Sequence, residues 1–108
     1  MPEYGSLVHE YWKSFLGHKF EEKGYKIDFE VPRPSGRVDI VAYRDGETIA
    51  IEIETGKSNI IRNVQQDLAA KYDKVVVAAT DKKAYTKVER ELSKADLPSI
   101  ERIEVIMG

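Results

Sequence analysis

The chain has 108 residues, no cysteine and a formal net charge of −2 at pH 7. This length predicts a single domain with a modest core, and the missing thiols exclude disulfide frameworks, thiolate metal sites and cysteine nucleophiles. The negative charge argues against a strongly basic nucleic-acid coat, but it leaves room for a basic rim around a cluster of acids.

The composition also suggests where the protein works. No apolar run approaches the roughly 20 residues of a membrane span, and no secretory signal pattern opens the chain. A cytoplasmic protein is therefore expected, as the absence of cysteine also suggests. Charged residues make up 33% of the chain while Asn and Gln are scarce, which is typical of a thermophilic source.

The first third of the chain predicts a helix followed by a strand. Residues 6–23 read as a helix with Ser6 as N-cap and Gly24 as C-cap glycine. Residues 25–31 alternate as a strand does, and residues 32–36 form a turn. The apolar residues of the helix recur at helical spacing and are expected to face the core: Val8, Tyr11, Trp12, Phe15 and Leu16.

Two strands joined by a tight turn carry the most informative residues. They are predicted over 37–43 and 48–54, and Asp45-Gly46 between them is a strong hairpin signal. Because side chains alternate along a strand, Glu52 and Glu54 point to the same face, about 7 Å apart. Asp39 on the neighbouring strand could complete the cluster. Three such acids beside an apolar core repel one another unless a cation neutralises them, which predicts a hard divalent metal with oxygen ligands.

The second half of the chain predicts alternating helices and strands. Ser58 or Asn59 caps a second helix, residues 73–79 form a strand buried on both faces, and Thr80 or Asp81 caps a third helix. The apolar positions of these helices are Ile60, Ile61, Val64, Leu68 and Tyr72 in the second, and Tyr85, Val88 and Leu92 in the third. A turn over 97–99 and a strand over 103–107 complete the order α-β-β-β-α-β-α-β, which predicts an α/β fold with a mixed sheet flanked by helices.

This arrangement resembles the PD-(D/E)xK nuclease superfamily, with its restriction-endonuclease-like fold. The resemblance rests on Asp39 in one strand of the hairpin, Glu52-Ile53-Glu54 in the next, and the helices before and after them. It covers the chain roughly to Val75 and is nearest to the small archaeal Holliday-junction-resolvase and RecB-type nucleases. It implies that Asp39 and Glu52 bind Mg²⁺ or Mn²⁺ and that the protein hydrolyses phosphodiester bonds of DNA. Of the two kinds of nuclease, an endonuclease is expected in preference to an exonuclease.

The sequence departs from the family pattern at three positions. Val38 stands where the pattern has Pro, Glu54 stands where it has Lys, and Lys57 follows three residues later. The resemblance implies a catalytic set of Asp39, Glu52, Glu54 and Lys57, with Glu54 as a further metal ligand or a water-orienting group. Lys57 could supply the missing cation if the loop folds back. The alternative is a catalytically inactive nuclease-fold module that binds DNA or a protein partner within a larger DNA-processing machine.

Other interpretations remain open for the same residues. The acids could be a solvated sheet face, and the chain could be a metal-binding domain unrelated to nucleic acid. The segment Gly56-Lys57-Ser58 is either a helix start that favours binding of a phosphate or an ordinary helix start with a solvated lysine. A nucleotide-binding loop is not expected here, because Ile51 stands where such a loop needs Gly.

Further candidates come from the helices. Related nucleases often contribute an acid from the first helix, but Glu10 is expected in solvent. His9 could face the site instead, although a structural role is the favoured interpretation. Gln65 and Gln66 lie where RecB-type members place a Gln, with a polar helix face as the favoured alternative. The third helix carries a basic stretch that is a solvated face or a DNA contact: Lys82, Lys83, Lys87, Arg90 and Lys94. A homodimer is also open, since cutting two strands benefits from two sites.

Overall fold

The computed structural model describes residues 7–108, which form three α-helices, one short 3₁₀ turn and five strands. The helices are α1 (Leu7–Glu22), α2 (Ile60–Ala69) and α3 (Lys82–Ala95), and the 3₁₀ turn is Ile100–Arg102. The strands are β1 (Lys26–Arg33), β2 (Gly36–Arg44), β3 (Glu47–Glu54), β4 (Lys74–Ala79) and β5 (Ile103–Met107). The predicted order α-β-β-β-α-β-α-β is confirmed.

The five strands form one mixed sheet in the order β1-β2-β3-β4-β5. The first three are antiparallel neighbours, whereas β3–β4 and β4–β5 are parallel. Short turns permit the antiparallel pairs, while α2 and α3 provide the long crossovers that parallel pairs need. At the β2–β3 turn, Asp45 and Gly46 have φ angles of 52° and 82°. Both lie in the left-handed region that the favoured hairpin turn requires.

Apolar side chains cover both faces of the sheet. One cluster joins α1 to the sheet through Leu16, Ile40, Ile51 and Val76. Val75 and Val77 of β4 alternate with Val76 and therefore lie on the other face of the sheet. There they belong to a second cluster, which packs under α2 and α3: Ile60, Val64, Val75, Val77, Val88, Leu92 and Leu97. The expected burial of the β4 valines on both faces is confirmed, and it places β3 and β4 in the interior of the molecule.

The orientation predicted for α1 is wrong for most of its apolar stripe. Val8, Tyr11 and Phe15 are 54%, 59% and 39% exposed, while Leu16 is buried and Trp12 is half-buried against the core. Polar contacts explain this, because His9 lies against Asp39 and Lys13 against Glu30 on the sheet. These contacts turn the aromatic residues outward. The proposed N-cap Ser6 lies outside the described residues.

Smaller differences concern element ends. Strand β1 continues to Arg33, into the segment expected to turn. Asn59 and Asp81 are the caps, since their side chains accept from the backbone N–H groups of Arg62 and Ala84.

Two inward-facing predictions need correction. Tyr72 lies beyond the end of α2 at Ala69, and it packs against Val38, Val41 and Ala50 instead. Tyr85 is only half-buried, while Ala84 is the residue that α3 buries in its first turn.

Among residues 7–108, no helix is long and apolar enough to cross a membrane.

Candidate functional site

Asp39 lies where strands β2 and β3 separate. Their paired register ends at Ile40 and Ile51, so the next residues, Asp39 and Glu52, face a gap in the ladder. The Asp39 carboxylate fills it, because its Oδ2 accepts the backbone N–H of Ile53 at 2.8 Å. Its Oδ1 is 3.3 Å from His9 Nε2 on α1. This hydrogen bond raises the pKa of the His9 imidazole above its usual 6.5, against the opposing effect of burial. Two elements therefore hold Asp39 in place.

Glu52 is a buried carboxylate in the middle of the structure. It is 4% exposed, and its Oε2 has no hydrogen-bond partner within residues 7–108. Asp67 of α2 is 0% exposed, and its Oδ2 is likewise without a partner in that part of the chain. Buried carboxylate oxygens without donors are costly, so this pair of acids needs a proton or a cation.

Arg33 supplies one cation to this pair. Its Nε donates to Asp67 Oδ1 at 2.8 Å, and its Nη2 lies 3.8 Å from Glu52 Oε2. Its Nη2 also donates to Asn63 Oδ1 at 3.3 Å. One guanidinium cannot neutralise both acids. Burial, together with the adjoining Asp67 carboxyl, raises the pKa of Glu52 to about 11. Because Arg33 bonds directly to Asp67, the proton of the pair resides on Glu52 when no other cation is present.

Glu54 faces the loop that connects β3 to α2. Its Oε2 accepts the N–H groups of Gly56 at 2.6 Å and Ser58 at 3.4 Å, and its Oε1 accepts the Ser58 hydroxyl. Lys87 of α3 donates to the Gly56 carbonyl at 2.7 Å. Glu54 and Lys87 thus fix the loop from both sides, and the hydrogen bonds of Glu54 hold the loop in its conformation.

A shallow cavity of about 270 Å³ opens beside the acids. It is lined by His9, Arg37, Asp39, Glu52, Ile53, Thr55, Lys57, Ser58 and Asn63. Asp39, Glu52 and Lys57, separated in the sequence, thus share one cavity because the loop after β3 returns Lys57 to it. A hollow of about 550 Å³ at the start of β1 is larger, but its charged residues Glu21, Lys26 and Asp28 are all exposed. The smaller cavity is therefore the better candidate.

The other predicted candidates divide between the cavity and the surface. His9 lines the cavity and contacts Asp39, so it faces the site, as one of its two interpretations predicts. Glu10 is exposed and pairs with Lys13 at 3.0 Å. Gln65 is exposed and Gln66 half-buried, and neither lines the cavity.

Sequence reasoning missed Arg33, Asn63 and Asp67. For Asp67 a signal existed, because it lies three residues after Val64 on the apolar face of α2, where a carboxylate is out of place. Arg33, between two prolines in a segment read as a turn, gave no such signal.

The residues around Glu52 suit a magnesium-like ion. No group of three or more His, Asp or Glu side chains within 7–108 is arranged to hold a metal. Mg²⁺ commonly binds only one or two carboxylates and completes its shell with water and substrate phosphate. Asp39 and Glu52 both line the open cavity, so their carboxylates offer that oxygen set. These two residues would hold the ion.

Comparison with known proteins supports the fold alone. No family model and no curated protein matches the chain. Among solved structures, it is similar to the crystal structure of the protein of unknown function AF1548, with a TM-score of 0.59 and 14% identity. The match covers 93% of this chain and 57% of the AF1548 chain, so the present chain spans little more than half of that protein.

Proposed function

We propose that the protein is a metal-dependent nuclease that hydrolyses phosphodiester bonds of DNA, with Asp39 and Glu52 as ligands of Mg²⁺ or Mn²⁺. The observation that carries the proposal is the buried Glu52 carboxylate, which has an oxygen without a hydrogen-bond donor among residues 7–108 and lines an open cavity together with Asp39. A bound divalent ion would lower the pKa of a water molecule and stabilise charge on the scissile phosphate. The resemblance to the PD-(D/E)xK superfamily supplies the reaction class.

The other cavity residues have roles that follow from their positions. Lys57 is exposed on the cavity lining, where its ammonium can neutralise a phosphate oxygen. Glu54 holds the loop that presents Lys57, so its part in this proposal is to position a cation. His9 orients Asp39 through the contact at 3.3 Å. We further propose DNA rather than RNA as substrate, action as a homodimer, and a cytoplasmic location.

A specific observation favours a second function. Glu54 occupies the position where the superfamily has its Lys, and both of its oxygens are engaged by the loop. A nuclease fold that has lost this cation could serve as a catalytically inactive module that binds DNA or a protein partner. The second function predicts DNA binding without cleavage.

The test is a cleavage assay on labelled duplex, single-stranded, flap and junction DNA with Mg²⁺, Mn²⁺ or EDTA. Wild type should cleave at least one substrate only with metal, and Asp39→Asn should lower the rate by at least about 100-fold, since it removes a charged metal ligand. The matched control is Asp45→Asn in the β2–β3 turn, whose φ of 52° suits Asn. Full activity in folded Asp39→Asn would overturn the site, and binding without cleavage in wild type would support the inactive module.

A further inference from the structure

Arg33 is buried to an unusual degree for an arginine. Its side chain is 4% exposed, at the end of β1, and it is absent from the cavity lining. It lies beside Glu52, with Asp67 and Asn63 of α2 as hydrogen-bond partners. Arginine is almost never buried this deeply unless paired, so its place here needs a reason.

The fork of the guanidinium reaches two acids at once. Nε donates to Asp67, while Nη2 lies 3.8 Å from Glu52. The second distance is too long for a hydrogen bond but short enough for strong charge attraction in a buried environment. Asp67 and Asn63 therefore fix the guanidinium, and the guanidinium in turn attracts the carboxylate that faces the cavity.

Position 54 explains why a cation is needed here. The residue there is an acid held by the loop, and Lys57 is an exposed residue of the cavity lining that forms no ion pair with Glu52. Among the described residues, Arg33 is the only basic side chain within 4 Å of the Glu52 carboxylate. Without it, Glu52 and Asp67 would meet as two buried acids with no positive charge between them.

We propose that Arg33 is a positioning residue of the metal site: anchored by Asp67 and Asn63, its guanidinium holds Glu52 in the orientation that binds the divalent ion and supplies the fixed positive charge that position 54 lacks. This inference rests on the proposed function. Arg33 acts through Glu52 and does not touch substrate.

The experiment measures Mn²⁺ affinity by calorimetry and cleavage by the DNA assay, with circular dichroism as the check on folding. The variants are Arg33→Lys, which keeps the charge but not the fork, and Arg33→Met/Asp67→Asn, which removes the pair without stranding either charge. The matched control is Lys74→Met/Glu104→Gln, which removes an exposed ion pair of 3.0 Å that does not line the cavity.

The expected order of Mn²⁺ affinity is wild type, then Arg33→Lys, then the double variant, with the double variant about 10- to 100-fold weaker, as for residues that orient a metal ligand. The control should match wild type. A merely structural role would lower stability and leave the affinity of the folded protein unchanged.

Each contrary outcome has a distinct meaning. If wild type binds Mn²⁺ and the folded double variant binds it equally well, the role of Arg33 is overturned while the proposed function stands. If wild type binds no Mn²⁺, both are overturned. If the double variant does not fold, Arg33→Lys decides: a weaker affinity supports the inference, and an affinity equal to wild type overturns it.

Discussion

At the scale of single residues, two glutamates of one strand have different tasks. Alternation along β3 correctly identified Glu52 and Glu54 as unusual acids, and both are buried, at 4% and 1% exposure. Their partners could not be read from the sequence, because Arg33 and Asp67 reach Glu52 from distant segments. The local spacing of residues identifies a carboxylate that needs a partner, but the partner itself is determined by tertiary packing.

Glu52→Gln should stabilise the metal-free protein at neutral pH. With its pKa raised to about 11 from 4.5, the folded protein keeps a proton that the unfolded chain releases, so stability falls as pH rises from 4.5 towards 11. Gln mimics the protonated acid. Its advantage should be absent below the unfolded pKa and reach up to about 3 kcal/mol at pH 7. Urea unfolding of both proteins from pH 4 to pH 8 measures this, and a constant difference over that range would contradict it.

Glu54→Gln should destabilise the protein. The amide is uncharged and keeps only one acceptor oxygen, so both donors lose the charged carboxylate and either the Gly56 N–H or the Ser58 hydroxyl loses its acceptor, at a site that is 1% exposed. We expect a loss of about 1–3 kcal/mol, the cost of disrupting a buried charge-assisted hydrogen bond. Urea unfolding at pH 7 tests this, with the exposed Glu47→Gln as control. Equal stability of the two variants would show that the loop does not depend on Glu54.

At the scale of elements, local signals predicted what is local. The hairpin turn, the β4 valines and the caps of α2 and α3 follow from neighbouring residues, and the structure confirms them. The orientation of α1 was missed because His9 and Lys13 contact residues far along the chain, and those contacts outweigh the apolar stripe. The sequence left open whether the loop after β3 folds back towards the acids, because Lys87, far along the chain, helps to fix it.

Asp81→Ala should destabilise α3 by about 1 kcal/mol, the typical value of an N-cap. Its side chain accepts the N–H of Ala84 at 2.8 Å, and that N–H has no partner within the helix. Lys83→Ala, also exposed in the first turn, should change stability by less than about 0.5 kcal/mol. The midpoint of urea unfolding compares the two variants. A loss shared equally by both would point to the helix surface and away from the cap.

At the scale of the whole molecule, metal binding and folding should be coupled. The metal-free fold holds Glu52 at the cost of a protonated or poorly paired carboxyl, so an ion that binds only the folded state stabilises it. At 100 times its dissociation constant, Mn²⁺ should add about 2.7 kcal/mol to the free energy of unfolding. Thermal unfolding with Mn²⁺ and with EDTA measures the gain. It should vanish in Asp39→Asn and persist in Asp45→Asn.

The most direct test of the central claim measures stability and cleavage together in Glu52→Gln. If the buried carboxylate is kept for metal-dependent hydrolysis, this variant should unfold at higher urea concentration than metal-free wild type at pH 7 and should have lost Mn²⁺-dependent DNA cleavage. A variant that folds and cleaves DNA as wild type does would contradict the account, because Glu52 would then serve neither the metal nor the reaction.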